Sequence, residues 1–145
     1  MNSTQILNAL EREKELLEDF ICLSEEQLLL LADEDLDGFD TLLQRRADLM
    51  MELTAIEGTL ASWISQIRTD PSVSPEIMAK MRSVNDEIVR MANHIVLIDE
   101  HAHGRLDQIK QKTSAELRSI ERGRHALNSY AASYTPPGSD VDLKG

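Results

Sequence analysis

Aromatic residues are scarce in this sequence, at 3% of its 145 positions. Sheets draw on aromatic and β-branched side chains, so this composition disfavours β-sandwiches and β-barrels. Hydrophobic residues still reach 41%, which is enough to bury a core in a chain of this length. Leu, Ile, Ala, Met and Glu are frequent instead, and they favour helices that pack on helices. The composition therefore predicts an all-α fold.

Cysteine is nearly absent too, since Cys22 is the only one. An intrachain disulfide needs two cysteines, so none can form. Its apolar neighbours predict that the Cys22 side chain is packed in the core. The sequence opens without a basic segment followed by an apolar one, and no stretch approaches the roughly 20 apolar residues of a membrane-spanning helix. These absences predict a cytoplasmic protein that does not insert into a membrane.

Basic residues are outnumbered, with 15 Lys and Arg against 26 Asp and Glu. Residues 1–40 alone hold twelve acidic side chains and two basic ones, Arg12 and Lys14. Such a charge repels phosphate backbones, so the sequence excludes nucleic acid as a partner. A solvated acidic face on the first helix explains the excess. The alternative interpretation is a docking surface for a basic partner.

Apolar residues recur at steps of three and four along most of the chain, which is typical of helices with one buried stripe. An acidic stretch beside Gly38 predicts a turn with a capping carboxylate, and Ser74 before Pro75 predicts the start of a helix. We expect an elongated antiparallel bundle or coiled coil that forms one domain over residues 1–134. The tail, 135–145, is predicted to be flexible. The three long helices are predicted at about 4–31, 36–68 and 75–134.

Three positions depart from the simple pattern. Ser24 is compatible with a helix restart, but we expect a continuous helix with Ser24 on its solvent side. Arg46 falls on the apolar stripe of the second helix, where a hydrophobic residue would be expected. The repeat of the third helix slips by one position near Gly104. Either the chain breaks near Gly104 or Gly123 to form a fourth helix, or an apolar stripe is left for another molecule.

Residues that could support catalysis or bind a metal do not form a complete set. Glu100 and His103 have the Glu-x-x-His spacing of di-iron bundles, but such a site needs the motif twice. We expect no inward-facing glutamate on the first two helices. The six glycines are isolated, which disfavours a phosphate-binding loop, and the predicted burial of Cys22 disfavours a reactive thiolate. The sequence therefore predicts neither an enzyme, nor a metal site, nor a cofactor.

Two stretches resemble a known family. Residues 22–53, with an acidic turn followed by leucines and the pair Arg45 and Arg46, resemble the first helical hairpin of FlgN- and FliT-type flagellar chaperones. Residues 122–134 have a glycine, an Ala-Leu pair and a tyrosine ahead of a short tail that ends at 142–145. This arrangement is similar to the ending of FlgN-like chaperones, so the resemblance to FlgN is the stronger one.

The resemblance implies a function in flagellar type III export. Such chaperones bind the C-terminal helices of hook-filament junction proteins, or the filament cap protein in the FliT case. They keep these clients unassembled and deliver them to the export gate and its ATPase components. Family members make these contacts through the C-terminal helical region, which implies a binding site here at Leu117, Ile120, Leu127, Tyr130 and Tyr134.

One other function remains compatible with the same pattern. Long apolar stripes also form structural or regulatory coiled coils, so a homo-oligomer such as a homodimer, without a flagellar client, is the alternative. The sequence leaves open which client is bound and how many copies of the chain associate.

Overall fold

The computed structural model describes residues 2–133, without the side chain of Ser133. Within these residues it consists of helices joined by short connections and contains no strand. The prediction of an all-α bundle of three long helices is confirmed. The tail predicted at 135–145 lies outside the described residues. The three helices are α1 (Ser3–Ala32), α2 (Leu36–Ile67) and α3 (Pro75–Ser133).

Helix α1 begins with a reciprocal cap. The backbone N–H of Gln5 donates to Asn2 Oδ1 at 2.8 Å, and the Gln5 side chain accepts from the Asn2 N–H at 3.3 Å. The helix continues through Ser24, as expected, but Ser24 is buried rather than on the solvent side. Its hydroxyl donates to the backbone oxygen of Phe20 at 2.9 Å, so the polar group is satisfied without water.

The turn between α1 and α2 uses acidic residues as predicted. Glu34 adopts a left-handed conformation with φ 57°, which reverses the chain after the last turn of α1. Asp35 then caps α2, since its Oδ1 accepts from the Gly38 N–H at 2.9 Å. A Cβ atom at position 38 would lie 2.7 Å from Asp35 Oδ2. Glycine therefore lets the capping carboxylate approach the backbone.

Helix α3 begins where the sequence predicts. Ser74 Oγ accepts from the Ile77 N–H at 3.2 Å, and Pro75 occupies the first helical position, where no N–H donor is needed. Gly104 and Gly123 both lie within α3, and the helix passes them without a break. The fourth helix considered from the sequence is therefore not formed at either glycine.

The chain divides into two compact units, Met1–Leu106 and Asp107–Gly145. Unit 1 contains α1, α2 and the part of α3 that ends at Leu106, and its core is built from apolar side chains of all three helices. The single domain predicted over residues 1–134 stays a prediction. The core side chains are Ile6, Leu10, Leu16, Leu17 and Phe20 of α1, Leu53, Leu60 and Ile67 of α2, and Met81, Val84, Ile88 and Ile95 of α3.

Contacts made by side chains show the direction of each helix in unit 1. Along α1, the contacted residue of α2 falls in number while the contacted residue of α3 rises. Helices α1 and α2 are therefore antiparallel, and α1 and α3 are parallel. The contacts are Arg12 with Glu52 at 3.4 Å, Gln27 with the Phe39 backbone oxygen at 3.3 Å, Lys14 with Glu87 at 2.7 Å, and His94 with Glu25 at 3.6 Å.

A carboxyl group lies inside the bundle, where the sequence predicted none. Glu13 of α1 is buried and hydrogen-bonded to the side chain of Glu57 on α2. Burial, together with the charge of Glu57 and this hydrogen bond, raises the pKa of Glu13 from its usual 4.5 to about 7. The expectation of no inward-facing glutamate on the first two helices is therefore wrong. In its neutral form, Glu13 can donate its proton to the Glu57 carboxylate.

Glu13→Gln is expected to weaken the pH dependence of stability. The folded protein holds a proton on Glu13 that the unfolded chain releases above its usual pKa of 4.5, so the free energy of unfolding falls as pH rises from there to about 7. Glutamine keeps a donor for Glu57 without this titration. We expect the variant to exceed the parent by about 1 kcal/mol near pH 8, allowing for solvent screening.

Urea denaturation across this pH range measures the effect, because it compares free energies of unfolding directly. Glu18→Gln is the matched control, since Glu18 lies on the exposed face of the same helix. The control should keep the pH dependence of the parent. A Glu13→Gln protein that loses as much stability with rising pH as the parent would contradict the assignment of the proton to Glu13.

Candidate functional site

Exposed apolar side chains characterise the described part of unit 2. All residues from 115 to 132 are exposed, and four of them are large and apolar. Leu117, Ile120, Leu127 and Tyr130 expose 55%, 58%, 70% and 69% of their surface. Steps of three, seven and three place these four along one side of the helix. We call this set the C-terminal stripe.

The C-terminal stripe contains four of the five residues predicted for the client site. Tyr134, the fifth, lies outside the described residues. Gly123 lies in the middle of the stripe's helical segment with open space around it, and an interior glycine costs about 1 kcal/mol of helix stability. Most helices in proteins depend on packing of an apolar face for their stability. A partner that covered the C-terminal stripe would supply such packing.

The two units differ in charge. Residues 1–106 have 21 acidic and nine basic side chains, whereas residues 107–133 have three acidic and five basic ones. Arg118, Arg122 and Arg124 lie among the residues of the C-terminal stripe. The acidic character of the chain therefore belongs to unit 1, and the helical segment that carries the stripe is mildly basic.

A polar cluster connects the three helices of unit 1, and Arg46 is its centre. One guanidinium nitrogen of Arg46 donates to Gln27 Oε1 and another to Asp99 Oδ2, both at 2.8 Å. The guanidinium also lies over the ring of Phe20, 4.4 Å from its centroid. Gln27 is buried, and its amide donates to the backbone oxygen of Phe39. Arg46 can therefore occupy a position of the apolar stripe of α2, because its guanidinium group has polar and aromatic partners at that position.

Cys22 does not belong to the core. The structure places its side chain on the surface, in a shallow groove between α1 and α2 that also contains Arg45 and Asp48. The prediction of a buried thiol is wrong, because Cys22 points away from the buried side of α1 defined by Phe20 and Ser24. The apolar residues next to Cys22 in the sequence do not indicate burial of Cys22 itself.

Glu100 and His103 belong to no metal-binding cluster in the part of the chain that the structure describes. Within residues 2–133, no three His, Cys, Asp or Glu side chains are grouped closely enough to hold a metal ion. His94 lies at the interface of α1 and α3 beside Glu25.

None of the helices described for this chain combines the length and apolarity needed to cross a membrane.

Comparison with known proteins connects these observations to a family. The model of the FlgN protein family matches residues 1–141, almost the whole chain. No curated protein and no solved structure matches the sequence. FlgN proteins are chaperones rather than enzymes, in agreement with the sequence prediction of a non-enzymatic binding protein. The match covers both the acidic hairpin and the C-terminal stripe, and the chain therefore belongs to the FlgN family of flagellar export chaperones.

Proposed function

We propose that this protein binds the C-terminal helices of hook-filament junction proteins in the cytoplasm and delivers them to the flagellar export gate. The C-terminal stripe is the proposed client site. The observation that supports it is the exposure of four large apolar side chains, Leu117, Ile120, Leu127 and Tyr130, within one helical segment. Family membership supports the general role of an export chaperone, and the client and the site are our inference.

Helix-on-helix packing explains how such a site would work. A client helix with apolar residues at i, i+3, i+4 and i+7 can lie along the stripe and bury both apolar faces. Burial of each large apolar side chain is worth roughly 1.5–3 kcal/mol before the cost of ordering both helices is subtracted. Four such side chains are enough for specific but reversible binding. Reversibility matters because the client must be released for export.

Covering the client helix also explains the protection from early assembly. An apolar helical face that is buried on the chaperone is unavailable to other copies of the client. We propose that the same segment presents the loaded complex to the gate and to its ATPase components, with Tyr130 as a contact. A tyrosine suits this role, since it combines an apolar ring with a polar hydroxyl.

The combined variant Leu127→Asp with Tyr130→Ala is expected to abolish client capture. The variant places a charge in the stripe and removes the aromatic ring of Tyr130. The affinity for the client should therefore fall by more than about tenfold, or about 1.4 kcal/mol. Isothermal titration calorimetry with the purified hook-filament junction proteins of the same organism measures this change. Because both side chains are exposed, the helix content seen by circular dichroism should stay unchanged.

A matched control is available in unit 1. Leu97→Asp with Met51→Ala makes similar changes at exposed positions, 58% and 73% accessible, outside the C-terminal stripe. The control should bind the client as the parent does. Unchanged capture by the stripe variant would refute the site. A stable homo-oligomer that binds neither junction nor cap proteins would instead favour the coiled-coil alternative.

A further inference from the structure

A second apolar surface lies within unit 1, between α2 and α3. Here the two helices leave an open groove of about 290 Å³, which we call the α2–α3 groove. Its exposed apolar walls are Met50 of α2 and Ala92 and Val96 of α3. Core side chains form its floor, so it is an opening onto the bundle interior. The floor residues are Leu17, Phe20, Leu53 and Ile95.

The apolar walls continue along both helices. Leu43 precedes Met50 by seven residues on α2, and Val89 precedes Val96 by seven on α3. Seven residues are close to two helical turns, or about 10 Å, so each pair lies on one face of its helix. All four side chains are between 41% and 55% exposed. The groove therefore lies within an apolar strip that is long enough to contact two turns of another helix.

The charge of the groove is negative at one position. Asp99 is neutralised by Arg46, which leaves Glu57. Glu57 shares a hydrogen bond with the side chain of Glu13. Among the ion pairs of the described residues, none includes Glu57. Glu57 thus offers an uncompensated carboxylate beside an apolar surface.

We propose that the α2–α3 groove docks an amphipathic helix of a partner protein, whose apolar face packs on Met50 and Val96 and whose Lys or Arg pairs with Glu57. An apolar groove between two helices is the geometry that binds such helices, and methionine adapts to different side chains. A basic flank also suits the surrounding surface, because residues 1–106 carry 21 acidic and nine basic side chains.

A second copy of this chain is a poor occupant of the α2–α3 groove. Self-association through this face would bring two strongly acidic units together and place Glu57 of each copy near like charge. A basic helix reduces that repulsion instead. The proposal does not depend on the C-terminal stripe, since the groove and the stripe share no residue. It gives the chaperone a second, independent contact with a basic helical partner.

Two designed helical peptides provide the probe. Both carry the same leucine face, one flanked by lysine and arginine and the other by glutamate. Fluorescence anisotropy with the full chain should show that the basic peptide binds at least about tenfold more tightly, and that its affinity falls as salt is added. Glu57→Gln should weaken binding of the basic peptide severalfold and should not weaken that of the acidic peptide.

Neighbouring residues supply matched controls for the groove. Val96→Glu should weaken binding of the basic peptide by about tenfold, whereas Leu97→Glu, one residue away and outside the groove, should not. Met50→Glu and Met51→Glu form a second pair with the same expectation. These four side chains are exposed, so folding should be retained, and circular dichroism checks this. Equal effects within either pair would overturn the proposal.

Charge preference, self-association and the position of the bound peptide are tested separately. Equal affinity for both peptides would overturn the charge complementarity. A dimer of the free chain that Val96→Glu dissociates, measured by sedimentation equilibrium, would assign the groove to a second copy and overturn the proposal. The Leu127→Asp, Tyr130→Ala protein should bind the basic peptide like the parent. Loss of peptide binding in that variant would place the peptide on the C-terminal stripe and overturn the proposal that it binds in the α2–α3 groove.

Discussion

Leu31→Ala is expected to lower the free energy of unfolding by about 3 kcal/mol. Leu31 is 0% exposed, in the last turn of α1. Truncation removes three buried carbon atoms and leaves a cavity whose walls are fixed by the helices around it. Its carbonyl oxygen also accepts from the Glu34 N–H at 3.1 Å and from Arg105 Nε at 3.3 Å. Because these bonds use the backbone, the substitution tests side-chain packing alone.

Leu29→Ala is the control for this prediction. Leu29 lies two residues earlier in the same helix and is 69% exposed, so the change in helix propensity is nearly equal while the change in burial is not. We expect its effect to stay within about 0.5 kcal/mol. Urea denaturation followed by circular dichroism measures both variants. Similar losses for the two would show that α1 does not bury Leu31 in solution.

The buried side of α1 shows how much spacing alone predicts. Steps of four and three run without interruption through the eight positions of this stripe, and three of them hold polar residues. Spacing places Glu13, Ser24 and Gln27 inside, and the structure confirms that all three are buried. Residue type predicted the opposite for Glu13 and Ser24. The stripe consists of Ile6, Leu10, Glu13, Leu17, Phe20, Ser24, Gln27 and Leu31.

The same comparison explains the error at Cys22. Its neighbours are apolar, but it is two positions from Phe20 and so lies across the helix from the stripe. The position in the repeat again predicts burial better than the residue type does.

The helices themselves were predictable because their apolar repeat and their caps, such as Ser74 before Pro75, agree with each other.

The candidate site was predictable only in part. The repeat placed Leu117, Ile120 and Leu127 on one side of a helix, but the same repeat occurs whether that side is covered or exposed. Their exposure follows from tertiary structure and could not be derived from spacing. The α2–α3 groove was missed for a similar reason, because Met50 and Val96 become neighbours only when two helices pack against each other.

Arg46→Met is expected to destabilise the protein by about 2 kcal/mol. Methionine keeps an unbranched apolar stem over Phe20 but removes both donors, so the buried Gln27 Oε1 loses its partner. Asp99 is half-exposed and can be hydrated instead, which limits its share of the loss. Most of the cost therefore arises at Gln27. Urea denaturation at neutral pH measures the change.

A double-mutant cycle separates this mechanism from lost packing. Gln27→Leu removes the buried polar group that Arg46 satisfies, so Arg46→Met combined with Gln27→Leu should recover at least half of the stability lost in Arg46→Met alone. Replacing both members of a buried polar pair with apolar groups is often neutral. Additive losses in the double variant would show that the two side chains act independently.

Arg46→Lys extends the test to geometry. Lysine keeps the positive charge but lacks the planar fork that reaches Gln27 and Asp99 together. We expect it to lose about half of what Arg46→Met loses, since one contact can be kept while the other is broken. A polar cluster that needs one residue from each helix is also a means of fixing their alignment, because a shift of any helix leaves buried donors or acceptors unpaired. A lysine variant as stable as the parent would show that the charge of Arg46, and not its simultaneous contact with Gln27 and Asp99, accounts for the contribution of the cluster to stability.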